Sequence, residues 1–177
     1  MIAAVFSDSH KDLKTLGAAA EAAKAFGATK MIHLGDTFRD GLALKKYSGD
    51  VAMVPGLWEI EYHDSSIPNR LIIDLCGFKT LLTHSNKATL EDMTLDGNPD
   101  EIIENENIDI LLYGHTHFFE AVIREGRLDL NPGSCRAGDK RAASVTYGLI
   151  FTDGKKATGR IMDLDGKILA ETTLIKL

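Results

Sequence analysis

Residues 2–54 alternate short apolar runs with helix-forming stretches, and few folds accept that order. Ile2 to Ser7, Met31 to Leu34 and Asp50 to Val54 have the near-continuous apolar character of strands covered on both faces. Between the first two, Leu13, Leu16, Ala20, Ala23 and Phe26 keep helical spacing, which predicts a helix over Lys11 to Phe26 stopped by Gly27. A short helical segment over Asp40 to Tyr47 is expected before the third strand. Strand, helix, strand, helix, strand is the pattern of a parallel sheet with covering helices.

The rest of the chain reads differently. Leu71 to Leu75 and Lys79 to Thr83 form two predicted strands joined at Gly77. Asn86 to Asn98 is polar and reads as a loop with some helix, and Pro99 to Asn105 as a helix with proline in its first turn. Ile108 to Tyr113 is another buried-type strand. Glu125-Gly126, Asp153-Gly154 and Asp165-Gly166 are each flanked by alternating apolar residues, which predicts antiparallel hairpins in the last third. One mixed α/β domain over residues 1–177 accounts for the whole pattern.

Composition narrows the class of function. With 20 Lys and Arg against 26 Asp and Glu, the net charge of -6 offers no general attraction for nucleic acid or an anionic membrane. An anionic substrate then needs positive charge supplied locally, as by a metal ion. No apolar run approaches the roughly 20 residues of a membrane-spanning helix. Cys76 and Cys135 are too few for a disulfide framework, and the N-terminus has no basic leader, so a reducing cytoplasm is expected.

The polar residues that carry chemistry gather where the apolar strands end. Asp8 and His10 follow the first strand, Asp36 the second, His84 the Lys79 to Thr83 strand, and His115 and His117 the Ile108 to Tyr113 strand. Ligands of open α/β sheets bind outside the carboxyl ends of the strands. Mixed imidazole and carboxylate donors suit Mn, Fe, Zn or Ni. Six donors exceed the needs of one tetrahedral ion, but could serve two ions about 3.5–4 Å apart that share a carboxylate. Asp36 is the expected shared ligand, since its two oxygens can bridge. His33, inside the second strand, reads as a core or interface histidine, and His63 as a solvated one. Arg39, Lys87 and Arg136 each lie within a few residues of these strand ends and are candidate phosphate contacts.

Phe6-Ser7-Asp8-Ser9-His10, His33-Leu34-Gly35-Asp36, Leu82-Thr83-His84, Tyr113-Gly114-His115-Thr116-His117 and Leu130-Asn131-Pro132-Gly133-Ser134 occur in that order. In these motifs the chain resembles the calcineurin-like metallophosphoesterases, in particular their small single-domain bacterial and archaeal phosphodiesterases of the YfcE type. The resemblance implies a four-layer α/β/β/α sandwich with a dinuclear site at its edge. It implies that Asp8, His10 and His117 bind a first ion, that Asp36 bridges, and that His84 and His115 bind a second. Asp36, His84 and His115 are then the expected catalytic set. Manganese is the first expectation for both ions, with Fe, Ni or Zn as alternatives. The implied reaction is in-line attack on a small phosphodiester or phosphomonoester by hydroxide held between the ions, with no covalent intermediate. Cys135 is read as structural, and Asn131-Pro132-Gly133-Ser134 as a turn beneath the His115–His117 loop that orients its imidazoles. A homo-oligomer is a further possibility.

The chain departs from the family pattern in two places. The second ion's expected Asn, after the third strand, is replaced by Leu57 in Val54-Pro55-Gly56-Leu57-Trp58-Glu59, and Asn86 replaces a histidine after His84. Leucine cannot ligate. Three outcomes are open: Glu59 or Glu61 restores a carboxylate there, water fills the place, or the second ion is weakly held. The last case gives a weak enzyme or a noncatalytic metal-binding scaffold, for which a eukaryotic retromer subunit of the same fold is the precedent.

Overall fold

The computed structural model describes residues 1–176. Among them, eleven strands form two mixed sheets. β1 (Ile2–Phe6), β2 (Lys30–His33) and β3 (Asp50–Met53) run parallel, as the alternation in the sequence requires. β9 (Thr146–Thr152), β10 (Lys156–Asp163) and β11 (Ile168–Ile175) extend that sheet antiparallel from β1, in the order β11-β10-β9-β1-β2-β3. The second sheet contains β4 (Arg70–Asp74), β5 (Lys79–Thr83), β6 (Ile110–Leu112), β7 (Glu120–Arg124) and β8 (Arg127–Asn131), in the order β4-β5-β6-β8-β7. All three predicted glycine hairpins are present, joining β7 to β8, β9 to β10 and β10 to β11.

The helix α1 (Leu13–Ala25) begins where the Asp12 side chain accepts from Thr15 N, and it buries Leu16, Ala19, Ala20 and Ala23. Small alanines let it approach Ala4, Phe6, Tyr147 and Leu149 of the first sheet closely. The segment Phe38–Lys46 is helical but wound tightly as a 3-10 helix. The second helix, α2 (Pro99–Glu106), has Asn98 as its N-cap and proline in its first turn, and packs Ile102 and Ile103 against Leu81, Ile108 and Leu111. The expected helical turns within Asn86 to Asn98 are absent; the segment consists of turns and bends. Side chains from its acidic residues hold it instead: Asp92 accepts from Tyr62 Oη at 2.6 Å and from Arg70 Nη2 at 2.7 Å.

The main core joins the two sheets, with Val5, Ile32 and Ile150 from one meeting Leu82, Ile110, Leu112 and Leu130 from the other. Burying a Leu or Ile side chain contributes about 1.5–3 kcal/mol, so this cluster fixes the sheets against each other. The carboxyl ends of β1, β2, β5 and β6 consequently open onto one edge, where the candidate residues lie.

Candidate metal centre

The strand ends turn sharply. Asp8, His10, Asp36, His115 and His117 all have positive φ, between 46° and 68°. Such conformations are uncommon outside glycine and cost on the order of 1–3 kcal/mol each. Bonds between the loops hold them. Asp8 N donates to Gly35 O at 3.1 Å, His10 N to Asp36 O at 3.0 Å, Gly114 N to His84 O at 3.0 Å, and His115 N to Asp8 Oδ2 at 3.1 Å.

Two glycines let the loops approach this closely. A Cβ on Gly56 would lie 2.4 Å from Asp36 Oδ1, and one on Gly114 would lie 1.9 Å from Ser7 Oγ and 2.9 Å from Asp8 Oδ2.

The result is convergence of residues far apart in sequence. Donor atoms of Asp8, His10, Asp36 and His117 all lie within 4.8 Å of one another. His117 Nε2 is 3.1 Å from Asp8 Oδ1 and 3.3 Å from His10 Nε2, which is 3.6 Å from Asp36 Oδ2. The other oxygen of Asp36 faces away from this group, with Oδ1 3.4 Å from His84 Nε2. The His115 ring stands 5.2 Å from that of His84. Asp36 thus presents one oxygen to each of two groups of donors.

The donors fit a cation. His84 Nε2 and His115 Nδ1 are buried and have no hydrogen-bond partner, a state that is unfavourable unless something satisfies them, and buried Asp8 Oδ1 has only His117 Nε2 nearby. His84 Nδ1 donates to Leu34 O at 2.6 Å, which leaves Nε2 as the free lone pair. His117 Nδ1 is bonded to Asp139 Oδ2, so its Nε2 is likewise turned inward.

At Asp8 and His115 the charge state is that of a ligand. Burial works to raise the Asp8 carboxyl pKa, but His117 and His84 outweigh it and hold the group ionised below the usual range. Burial and the neighbouring His84 push His115 down, toward the neutral form that ligates. Burial also opposes charge on His117, but Asp8 and Asp139 override it and raise its pKa.

Beneath the loops, Asn131 Nδ2 donates to Gly114 O at 2.9 Å and to Thr116 Oγ1 at 3.0 Å, while Asn131 Oδ1 accepts from Gly133 N. Ser134 Oγ donates to Asp8 O and to Asp139 Oδ2. The Asn-Pro-Gly-Ser turn therefore supports both the Asp8 and the His115–His117 loops. Cys135 is fully buried beside them.

Other sequence expectations land elsewhere. Arg39 is exposed and donates to Glu61 at 2.7 Å, so this pair occupies both the candidate phosphate contact and one candidate substitute ligand. Lys87 and Arg136 are exposed, without an ion pair among the described residues. Glu59 accepts from Phe38 N with one oxygen and from Gly56 N with the other, both at 2.5 Å. It ties the ends of β2 and β3 together, and each of its oxygens is bonded to a backbone N–H. Leu57 is buried and brings no donor.

Asp139 and Arg141 join the site without a motif in the sequence to mark them. Arg141 Nη2 contacts His117 Nε2, so a side-chain cation lies against the inward nitrogen. Both residues sit in the loop between β8 and β9, whose sequence has no periodicity; the one available signal was an Asp and an Arg shortly after Asn-Pro-Gly-Ser. His33 is a satisfied core residue. Its Nδ1 accepts from Gly35 N, its Nε2 lies 3.0 Å from Ser9 Oγ, and burial lowers its pKa to about 4. His63 is exposed.

A fold of two mixed sheets whose strand ends gather carboxylates and imidazoles around a common point defines a metallophosphoesterase-type domain. The profile of the calcineurin-like phosphoesterase superfamily domain matches residues 1–155, and the chain belongs to that family. A probable metallophosphoesterase, YsnB of Bacillus subtilis (strain 168), is 27% identical over 167 residues, covering 92% of this chain and 90% of the relative. A predicted phosphoesterase from Streptococcus pneumoniae TIGR4 superposes with a TM-score of 0.73 at 23% identity, covering 99% of this chain and 97% of the other. Vps29 from Chaetomium thermophilum superposes with a TM-score of 0.72 at 18% identity, covering 99% of both chains. The two structural likenesses bear on the fold alone.

Proposed function

We propose that the protein is a divalent-metal-dependent phosphoesterase that hydrolyses small phosphodiesters or phosphomonoesters. The observation that carries this reading is the set of buried, unpartnered donors around Asp36, a carboxylate that faces two groups at once. In this reading Asp8, His10, Asp36 and His117 would hold one ion, and Asp36, His84 and His115 would hold a second with one ligand fewer.

Bound divalent ions of this kind neutralise phosphoryl charge and bring the pKa of a coordinated water toward neutrality. The chain's own contribution is placement. Asp139 and Leu34 O fix the imidazole tautomers of His117 and His84, and Asp36 sets the spacing of the two donor groups. Arg141 offers a guanidinium, which pairs with phosphate in two-pronged fashion. Manganese is the first candidate, the compartment a reducing cytoplasm, and the described residues include no helix long and apolar enough to cross a membrane.

The test is metal analysis of the purified protein followed by a chromogenic bis-phosphodiester assay with added Mn. The expected result is up to two ions per chain and metal-dependent turnover, abolished in Asp36→Asn because the shared negative charge is gone. One observation favours a second reading. Leu57 leaves the second group of donors short, and both oxygens of Glu59 are engaged elsewhere. A metal-binding scaffold follows if full occupancy gives no turnover with any divalent ion.

A further inference from the structure

One large aromatic side chain stands at the mouth of the metal centre, mostly unused by the fold. Trp58 is 67% exposed. Its ring centroid lies 5.5 Å from that of His115, with the two ring planes tilted by 54°. It takes part in none of the three core clusters. Yet it is held in place, because Glu59 next to it is bonded to Gly56 N and Phe38 N.

Trp58 lines a cavity of 270 Å³ together with His10, Asp36, Thr37, Glu59 and Arg141. That volume is slightly below the 300–1,000 Å³ usual for drug-sized ligands. It has room for one planar ring beside one phosphate. The same small space therefore holds a flat apolar face, a guanidinium and two of the metal-donor side chains. A phosphate turned to the donors would place whatever it is esterified to against the indole. Stacking on an exposed aromatic is worth about 1–3 kcal/mol per ring, whereas an aliphatic group gains little there.

We propose that Trp58 is a stacking platform, and that the preferred substrates are phosphoesters carrying a planar aromatic ring, as in aryl or nucleoside phosphates. The inference rests on the phosphoesterase reading and makes Trp58 a specificity-determining residue.

Trp58 is the chain's sole tryptophan, so its fluorescence reports on this position alone. The full chain, loaded with diamagnetic zinc, is titrated with phenylphosphonate and with methylphosphonate, which cannot be hydrolysed and differ in the ring. The non-hydrolysable phosphonate analogues of adenosine 5′-monophosphate and of ribose 5-phosphate repeat the comparison for a nucleobase. The expected result is saturable quenching by the ring-bearing member of at least one pair, with calorimetric affinity roughly tenfold above its ringless partner. The pair that responds tells an aryl from a nucleoside preference.

Trp58→Ala should remove that tenfold advantage and leave the ringless ligand's affinity unchanged. Trp58→Phe should keep most of it, because the flat face remains. Equal affinities within each pair, or a preference that survives in Trp58→Ala, would overturn the proposal. Hydrolysis of esters without ring selectivity sinks the platform and leaves the phosphoesterase reading standing. Ring-selective quenching without hydrolysis of any ester does the reverse.

Discussion

Asp139 is the residue through which the rest of the chain should control metal affinity. Its Oδ2 bonds His117 Nδ1 and accepts from Ser134 Oγ at 2.8 Å, and its Oδ1 accepts from Arg141 N at 2.9 Å. Burial works against its charge, but Arg141 N, Ser134 and His117 together hold the carboxyl far below the ordinary range. Asp139→Asn keeps the shape and removes the charge. The amide can accept at one of these positions only; its NH2 must then face a donor at the other. A hydrogen bond to a charged group is worth about 1.5–3 kcal/mol and a neutral one about 0.5–1.5. The difference, roughly 1–2 kcal/mol, corresponds to about a 5- to 30-fold loss of affinity, overlapping the 10–100-fold typical of the groups that orient metal-bound histidines. Calorimetric titration of the metal-free protein with zinc is the assay. The loss should fall on the Asp8–His10–His117 group and spare the ion held by His84 and His115. An affinity at the first group unchanged within twofold would refute the idea that Asp139 presents His117 to the ion.

Two further expectations follow from buried positions. His33 is neutral in the fold with a pKa near 4, against 6.5 when unfolded. The unfolded chain therefore binds more protons between those values, and stability present above pH 6.5 falls as the pH drops toward 4, by about 3 kcal/mol. Urea midpoints measured across that window should show the fall, and His33→Gln should flatten it; an equally steep profile in the variant would exclude His33 as the source. Leu57→Asn exchanges a buried apolar side chain for a polar one, so the metal-free variant should lose about 2–4 kcal/mol. Added zinc should then stabilise the variant more than the unchanged protein in thermal unfolding. An equal gain in both would mean that position 57 does not reach an ion.

What could be read from the residues was whatever local pattern dictates. Continuous apolar runs gave the parallel strands, and Glu-Gly and Asp-Gly pairs gave the hairpins, since those turns need positive φ. Parallel strands deliver their carboxyl ends to one edge, so the convergence of Asp8, Asp36, His84 and His115 was legible before any distance was known. The surrounding charges were not. Arg39 lies three residues past Asp36 in sequence, but Glu61 draws it away. Arg136 follows Ser134 and stays in solvent, whereas Arg141, five residues on, turns back to His117 because Asp139 anchors the loop there. A loop without periodicity is placed by its longest-range contacts, and those have no local signature. The same reason defeats the expected helix within Asn86 to Asn98, where ion pairs from Asp92 and Asp96 to Arg70 substitute for helical bonds.

The strain in the centre bears on how it binds. Five donor residues hold left-handed backbone, at on the order of 1–3 kcal/mol each. That outlay is tolerable because loop-to-loop bonds, the Asn131 amide and the close approaches at Gly56 and Gly114 hold it in place. Those supports are contacts within the chain, so the fold itself turns these donors toward one another. In the phosphoesterase reading, Leu57 then bears on the His84–His115 group alone and leaves the placement of Asp8, His10 and His117 undisturbed.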